Sequence, residues 1–245
     1  MSNDIKATDK EITAPVKDAY VEKITTWLPP CKLMLRDTKM RITFVDGAFQ
    51  LYGHQKKARH IIRSMRAYFK ARYDLEDHPE DLKGEWSVGE VCVAKFDDQW
   101  YRAQIVEMST NRRDVAVIYV DLGNVRQVNI SDLRIPNAFG NQPILANRMV
   151  LESIIPLNGD KVFPDHVLEA IQDEVGYWNT GYVKITSTRM VSTMPIPVKL
   201  HLVHRRGENE EQENFGQTLL ECGLADNGEV DILKLEYNRH ARVGI

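Results

Sequence analysis

A chain of 245 residues, 43% hydrophobic and 27% charged, is long enough to bury a full core as one composite unit or two small domains. No apolar run approaches the roughly 18 residues that cross a bilayer, and the opening MSNDIKATDKEITAP lacks the apolar core of a secretory signal, so a cytoplasmic or nuclear protein is expected and no membrane partner. A net charge of −3 and an isoelectric point near 6.2 argue against broad binding to a nucleic-acid backbone and suit a basic peptide better.

In chain order, residues 1–40 read as an N-terminal extension, polar at first, with ordered structure beginning at Trp27-Leu28-Pro29-Pro30. RITFVDGAFQLYG, from Arg41, reads as a hairpin of two alternating strands with Asp46-Gly47 in the turn. HQKKARHIIRSMRAYFKARYDLED follows as a helix, with Ala58, Ile61, Ile62, Met65 and Tyr68 or Phe69 on one face. Arg59, Arg63, Arg66 and Lys70 line the other. HPEDLKGEW is a charged connector, after which VCVAKFDDQWYRAQIVEM and VAVIYVDLGN read as strands of a small sheet. Beyond Pro136 come a strand in ILANRMVLESIIP and a helix in PDHVLEAIQDEV opened by Pro164 and Asp165. GYVKITSTRMV and PIPVKLHLVHR are two more strands, and RGENEEQE has too little apolar content to be ordered by packing. The helix in NFGQTLLECGLAD, capped by Asn214, closes the unit, and the last fifteen residues show no period. Cys31, Cys92 and Cys222 are odd in number and widely spaced, which fits reduced, mostly buried thiols rather than disulfides or a zinc site.

The candidate chemistry lies in the small sheet. Strands ending at Phe96 and Tyr119, with Tyr101 between them, would carry three rings toward one end of the sheet, beside the Asn124 amide. Ring faces attract positive charge and an amide oxygen accepts an N–H, so the pocket suits a flat cation, arginine above all. For each ring alone, core packing is the plainer reading, because aromatics favour strands and bury large areas. Asp121 and Gly123 read mainly as turn residues, and Asn124 as both turn and site.

Ala94-Lys95-Phe96, Trp100-Tyr101-Arg102-Ala103 and Tyr119-Val120-Asp121-Leu122-Gly123-Asn124 resemble, in order and spacing, the core pattern of Tudor domains. The resemblance implies a five-stranded barrel that binds methylated arginine between four aromatic walls and an asparagine. The walls fall on Phe96, Tyr101 and Tyr119, the asparagine on Asn124, and the fourth wall on Leu122, which is not aromatic. The hairpin between Phe96 and Tyr101 is one residue shorter than the commonest family spacing.

The layout from about Arg41 to Ala225 is similar to the extended Tudor domain, in which a Tudor barrel is inserted into a staphylococcal-nuclease-like part. An α+β fold is then implied: a five-stranded Tudor barrel over 87–136, joined by a long helix to an OB-type barrel with flanking helices built from 41–86 and 137–228. Residues 229–245 form a tail. Such domains occur in germline Tudor proteins, the fly Krimper type being the subgroup suggested. There they bind arginine-rich tails of Piwi-class Argonaute proteins in perinuclear granules of the piRNA pathway.

Leu122 decides the expected specificity. It keeps apolar contact but removes a π-face, so binding weakens rather than disappears, and the expected partner is a tail either unmodified or symmetrically dimethylated, with weak, absent or reversed dependence on methylation, since an incomplete cage with free acceptors suits the unmodified guanidinium. Asp97 and Asp98, in the short hairpin, are candidate acceptors, though a solvated turn accounts for each singly. Two other classes stay open. RNA binding is raised by the stretch His54 to Tyr73, which contains no acid, although no GxxG loop accompanies it, and a self-associating scaffold is the other. Catalysis is not expected. No cluster of carboxylates at recognisable spacing, nucleophile motif or metal-ligand spacing is found, and His201 and His204 fall on opposite faces of a strand, so no cofactor is implied.

Overall fold

The computed structural model describes residues 24–30, 38–46, 50–75, 78–160, 162–177, 182–187, 195–206 and 209–229. The hairpin turn at Gly47, residues 188–194 of the turn that ends at Pro195, Cys31 and the last fifteen residues lie outside these ranges. Strands β1 (Thr38–Asp46) and β2 (Gln50–Gln55) pair antiparallel, as the alternation of RITFVDGAFQLYG requires. Helix α1 (Ala58–Lys70) follows and ends in a π-helical turn, Ala71–Leu75. Its buried stripe is Ala58, Met65 and Phe69, with Ile61 and Ile62 half-buried; Tyr68 lies exposed, its ring edge against Phe139.

The small sheet contains β3 (Val91–Phe96), β4 (Gln99–Met108), β5 (Asp114–Tyr119), β6 (Val125–Asn129) and β7 (Leu133–Arg134), in the spatial order β6-β5-β4-β3-β7. The larger sheet adds β8 (Asn147–Leu151), β10 (Tyr182–Ser187), β11 (Ile196–Arg206) and β12 (Asn209–Asn214) to the first hairpin. Its order is β10-β1-β2-β8-β11-β12, and an extra β10–β11 pairing closes five of the strands into a barrel. The short strands β9 (Ile154–Ile155) and β13 (Asp226–Asn227) pair with each other. Helices α2 (Asp165–Tyr177) and α3 (Phe215–Glu221) flank the barrel; the Asn214 side chain caps α3 by accepting from the Gln217 N–H. The α+β architecture is as the sequence implied.

One local expectation fails. Within RGENEEQE, the described residues 209–213 are not a loop: with Asn214 they form β12, at the edge of the sheet, paired along its length with β11. An edge strand is held by main-chain hydrogen bonds and needs no apolar face of its own, which is why composition misread it. Cys92 is buried, whereas Cys222 is exposed.

Alternation in the small sheet explains how it is held. Cys92, Ala94, Ala103, Ile105, Val117 and Tyr119 form its inner core, while Val93 and Trp100 face out into a second cluster with Met65, Phe69 and Tyr73 of the helix. The strand run VCVAKF is therefore apolar on both faces because both are covered. Trp27 covers a third patch, Val91, Ile118 and Val120, and its indole N–H donates to the Ala103 carbonyl at 2.8 Å. The two sheets meet where the turn after β5 lies on the β1–β2 hairpin: Thr43 Oγ1 of β1 donates to the Leu122 carbonyl at 2.6 Å.

Candidate functional site

Strands β3 and β4 are joined by only two residues, Asp97 and Asp98, with φ of 45° and 55°. Positive φ at both central positions is the tight hairpin turn whose twist suits adjacent strands, and aspartate tolerates it. The turn sets Phe96 opposite Gln99, with Tyr101 two residues further along β4. Both Asp97 and Asp98 are exposed at its tip. The shortened spacing therefore costs the hairpin nothing in register.

Phe96, Tyr101 and Tyr119 come together, with Leu122, at the end of the inner core. Ring centroids lie 5.3 Å apart for Phe96 and Tyr119, 5.9 Å for Tyr101 and Tyr119, and 6.2 Å for Phe96 and Tyr101. The Tyr101–Tyr119 contact is edge-on, at 76°. Phe96, Tyr101 and Leu122 are half-buried, whereas Tyr119 has 0% exposure and its hydroxyl donates to the Lys95 carbonyl at 2.6 Å. Tyr119 is thus the floor of the cluster, closed over by its neighbours. Burial raises the Tyr119 hydroxyl well above the ordinary tyrosine range. Burial also raises Tyr101, with nearby Arg66 opposing the rise and Asp97 adding to it.

Asn124 sits on the same turn, 6% exposed. Its backbone carbonyl accepts from the Tyr119 N–H at 3.0 Å, while its buried side-chain oxygen has no hydrogen-bond partner among the described residues. A buried acceptor left unpaired costs about 1–3 kcal/mol, a cost that a donating ligand removes. Leu122 and Gly123 both return their N–H to the Tyr119 carbonyl, at 3.0 and 2.7 Å, which fixes the turn.

Other residues emerge that sequence reasoning missed. Asp121, read as a turn residue, is 2% exposed and accepts from Arg102 through both oxygens, at 2.6 and 2.9 Å, and from the Leu145 N–H at 2.9 Å. Arg102 also donates to the carbonyls of Phe139, Gln142 and Pro143, and lies over the Trp27 ring. Trp100 donates to Asp74 at 2.8 Å. In Trp100-Tyr101-Arg102-Ala103 the alternate residues therefore do separate work: Tyr101 faces the candidate pocket, Trp100 fastens the linking helix, and Arg102 fastens the segment leaving the small sheet. Arg66, assigned to the solvated face of α1, instead lies over the Tyr101 ring, 5.5 Å from its centroid, and Arg126 of β6 lies 5.8 Å from that of Phe96. Among the described residues, no group of three or more histidine, cysteine or carboxylate side chains gathers to hold a metal.

Residues 34–153 match the Tudor domain family. In the solved structures, extended Tudor domain TD3 of mouse TDRD1, bound to a MILI peptide containing dimethylarginine, superposes with a TM-score of 0.67 at 18% identity, covering 83% of this chain and 99% of that one. The chain has the extended Tudor fold. The extended Tudor domain of Drosophila melanogaster Papi, in complex with an unmethylated Piwi N-terminal peptide, superposes with a TM-score of 0.62 at 13% identity, over 79% of this chain and 100% of that one. In sequence, Tudor domain-containing protein 1 of Mus musculus is 29% identical over 162 residues, 63% of this chain but 13% of that protein. The chain thus spans a small part of the length of the curated relatives it matches. These matches do not single out the Krimper-type subgroup. Within the extended Tudor fold, the small sheet is the Tudor barrel and the larger one the nuclease-like barrel.

Proposed function

We propose that this extended Tudor domain is a non-catalytic binding module for an arginine-rich tail, of the Arg/Gly or Arg/Ala kind, on a Piwi-class Argonaute protein. The observation that carries the reading is the buried, unpartnered Asn124 oxygen on the turn that adds Leu122 to the cluster of Phe96, Tyr101 and Tyr119. An acceptor with no internal donor among the described residues, on the turn that brings Leu122 to the rings, fits a guanidinium. Support comes also from the two neighbours above, solved with peptides of MILI and of Piwi, one dimethylated and one not. Leu122 leaves the cage one ring short, so dimethylation gains little and the unmodified fork keeps all its donors. Asp97 and Asp98, exposed at the hairpin tip, stand as secondary acceptors for the flanking basic residues. The perinuclear germ granule is the setting this reading implies.

The test is a calorimetric titration with one arginine-rich Piwi-tail peptide, unmodified, symmetrically dimethylated and asymmetrically dimethylated. Equal or tighter binding of the unmodified form is expected. Leu122→Tyr restores the fourth ring and should raise affinity for the symmetrically dimethylated peptide by roughly two- to fivefold, the size of one exposed cation–π contact. A Leu122→Tyr variant that binds all three forms as the parent does would remove the cage from the explanation.

A second reading rests on the exposed face of α1 and the turn before it, where Lys56, Lys57, Arg59, His60, Arg63 and Lys70 reach solvent with no acid in that stretch of chain. Such a face suits a phosphate backbone. Mobility shift of a single-stranded RNA at low and moderate salt separates the readings. RNA binding should fall steeply with salt and vanish in the Arg59→Ala/Arg63→Ala/Lys70→Ala variant, whereas a purely peptide-binding domain gives no shift at either salt.

A further inference from the structure

We infer that Arg66 is a specificity-determining residue of the candidate pocket: it occupies a face of Tyr101 with a guanidinium from the domain's own helix, so that a peptide arginine must displace it. The inference rests on the arginine-binding reading above. Three observations carry it. The guanidinium of Arg66 lies 5.5 Å from the Tyr101 centroid, and its Nε–H donates to the Gln99 side-chain oxygen at 3.2 Å, which ties it to the strand that carries the ring. Tyr119, at the floor, is fully closed to solvent by rings half-exposed themselves. Those outer rings, Tyr101 and Phe96, are the ones that carry internal arginines, Arg66 and Arg126.

An entering guanidinium reaches Tyr119 only if Tyr101 or Phe96 moves aside. Moving Tyr101 breaks its contact with Arg66, and leaving Arg66 in place sets two like charges beside one ring face. Either way the internal cation opposes the incoming one, and both draw on the same quadrupole. Arg126 is exposed, so its hold on Phe96 is the looser of the two. Arg66 is half-buried and hydrogen-bonded, which makes it the stronger competitor. The consequence is a threshold. A single weakly positioned arginine fails to displace Arg66, and a ligand succeeds when residues on either side of its arginine add contacts along the surface.

The experiment titrates the unmodified arginine-rich peptide into the parent domain, Arg66→Ala and Gln99→Ala. Arg66→Ala removes the competitor and should tighten binding by roughly two- to fivefold, the size of one cation–π contact. Gln99→Ala keeps the guanidinium but frees it, and should tighten binding by less. In the free parent protein the Arg66 Nε–H resonance should show the ring-current shift of Tyr101, and peptide saturation should abolish that shift. Weaker or equal binding by a folded Arg66→Ala variant overturns the inference alone, since the pocket still binds. An Arg66 resonance without ring-current shift in the free protein overturns it as well. Absence of binding by parent and variants alike overturns the arginine-binding reading and this inference with it.

Discussion

Replacing Arg102 with methionine should cost about 3–5 kcal/mol of stability, the typical penalty for removing one partner of a buried ion pair. Arg102 and Asp121 are 0% and 3% exposed in their side chains, so neither has water to fall back on. In the variant, Asp121 keeps a buried charge with the Leu145 N–H as its remaining donor among the described residues, and the carbonyls of Phe139, Gln142 and Pro143 lose the Arg102 guanidinium, Phe139 and Pro143 keeping a bond from the Gln142 N–H and side-chain amide. For a chain of this size the loss corresponds to a fall in Tm of roughly 6–20 °C. The double variant Arg102→Met/Asp121→Leu should recover part of it, because removing both charges leaves no unpaired ion. A single variant within about 1 kcal/mol of the parent by urea unfolding would show that the pair is solvated in solution. The ion pair acts on the site only through the chain: Asp121 precedes Leu122, and the segment it fastens leads out of the Tudor barrel into the nuclease-like one.

Asp121 also marks what could and could not be read from the sequence. Within Asp-Leu-Gly-Asn the turn signal is strong, because Gly123 and Asn124 are the residues a turn needs, and it absorbed the aspartate into the same explanation. Its partner lies 19 residues away on another strand, and no local periodicity reports that. Arg66 shows the same limit: the 3.6-residue period placed it correctly on the polar face of α1, but the long-range packing of Phe69 and Tyr73 with Trp100, which sets the helix against β4, is not written in that period. Elements whose cause is local were legible, including the first hairpin, α1, and the Asn214 cap. β12 was not, since an edge strand is specified by the neighbour that accepts it. For the candidate site, the sequence placed Phe96, Tyr101, Tyr119 and Leu122 in one neighbourhood, while the closure of the rings over Tyr119 depends on long-range contacts.

Gly123→Ala should destabilise the domain by about 2–5 kcal/mol, and the amount separates two causes. Gly123 has φ of +96°, where an L-residue costs about 1–2 kcal/mol. A Cβ there would also lie inside van der Waals contact of Tyr52 Cβ, Cγ and Cδ1, atoms near the root of a buried ring on β2 that cannot swing away as a chain tip would. Overpacking of this kind adds about 1–3 kcal/mol. Gly89 provides the control: its φ is +87°, yet nothing lies within 4 Å of the added Cβ. Gly89→Ala should therefore show the backbone cost alone, and the excess for Gly123→Ala measures how closely the Tudor turn is pressed onto the nuclease-like barrel. Truncating Tyr52 to alanine removes Cγ and Cδ1 but keeps Cβ, so in a double-mutant cycle the cost of Gly123→Ala should shrink in the Tyr52→Ala background without falling to the backbone part alone. Equal costs at Gly89 and Gly123 would mean that the turn stands clear of Tyr52. Because Gly123 links Leu122 to Asn124, a turn displaced from Tyr52 carries both residues with it, and peptide affinity should fall even where the variant remains folded.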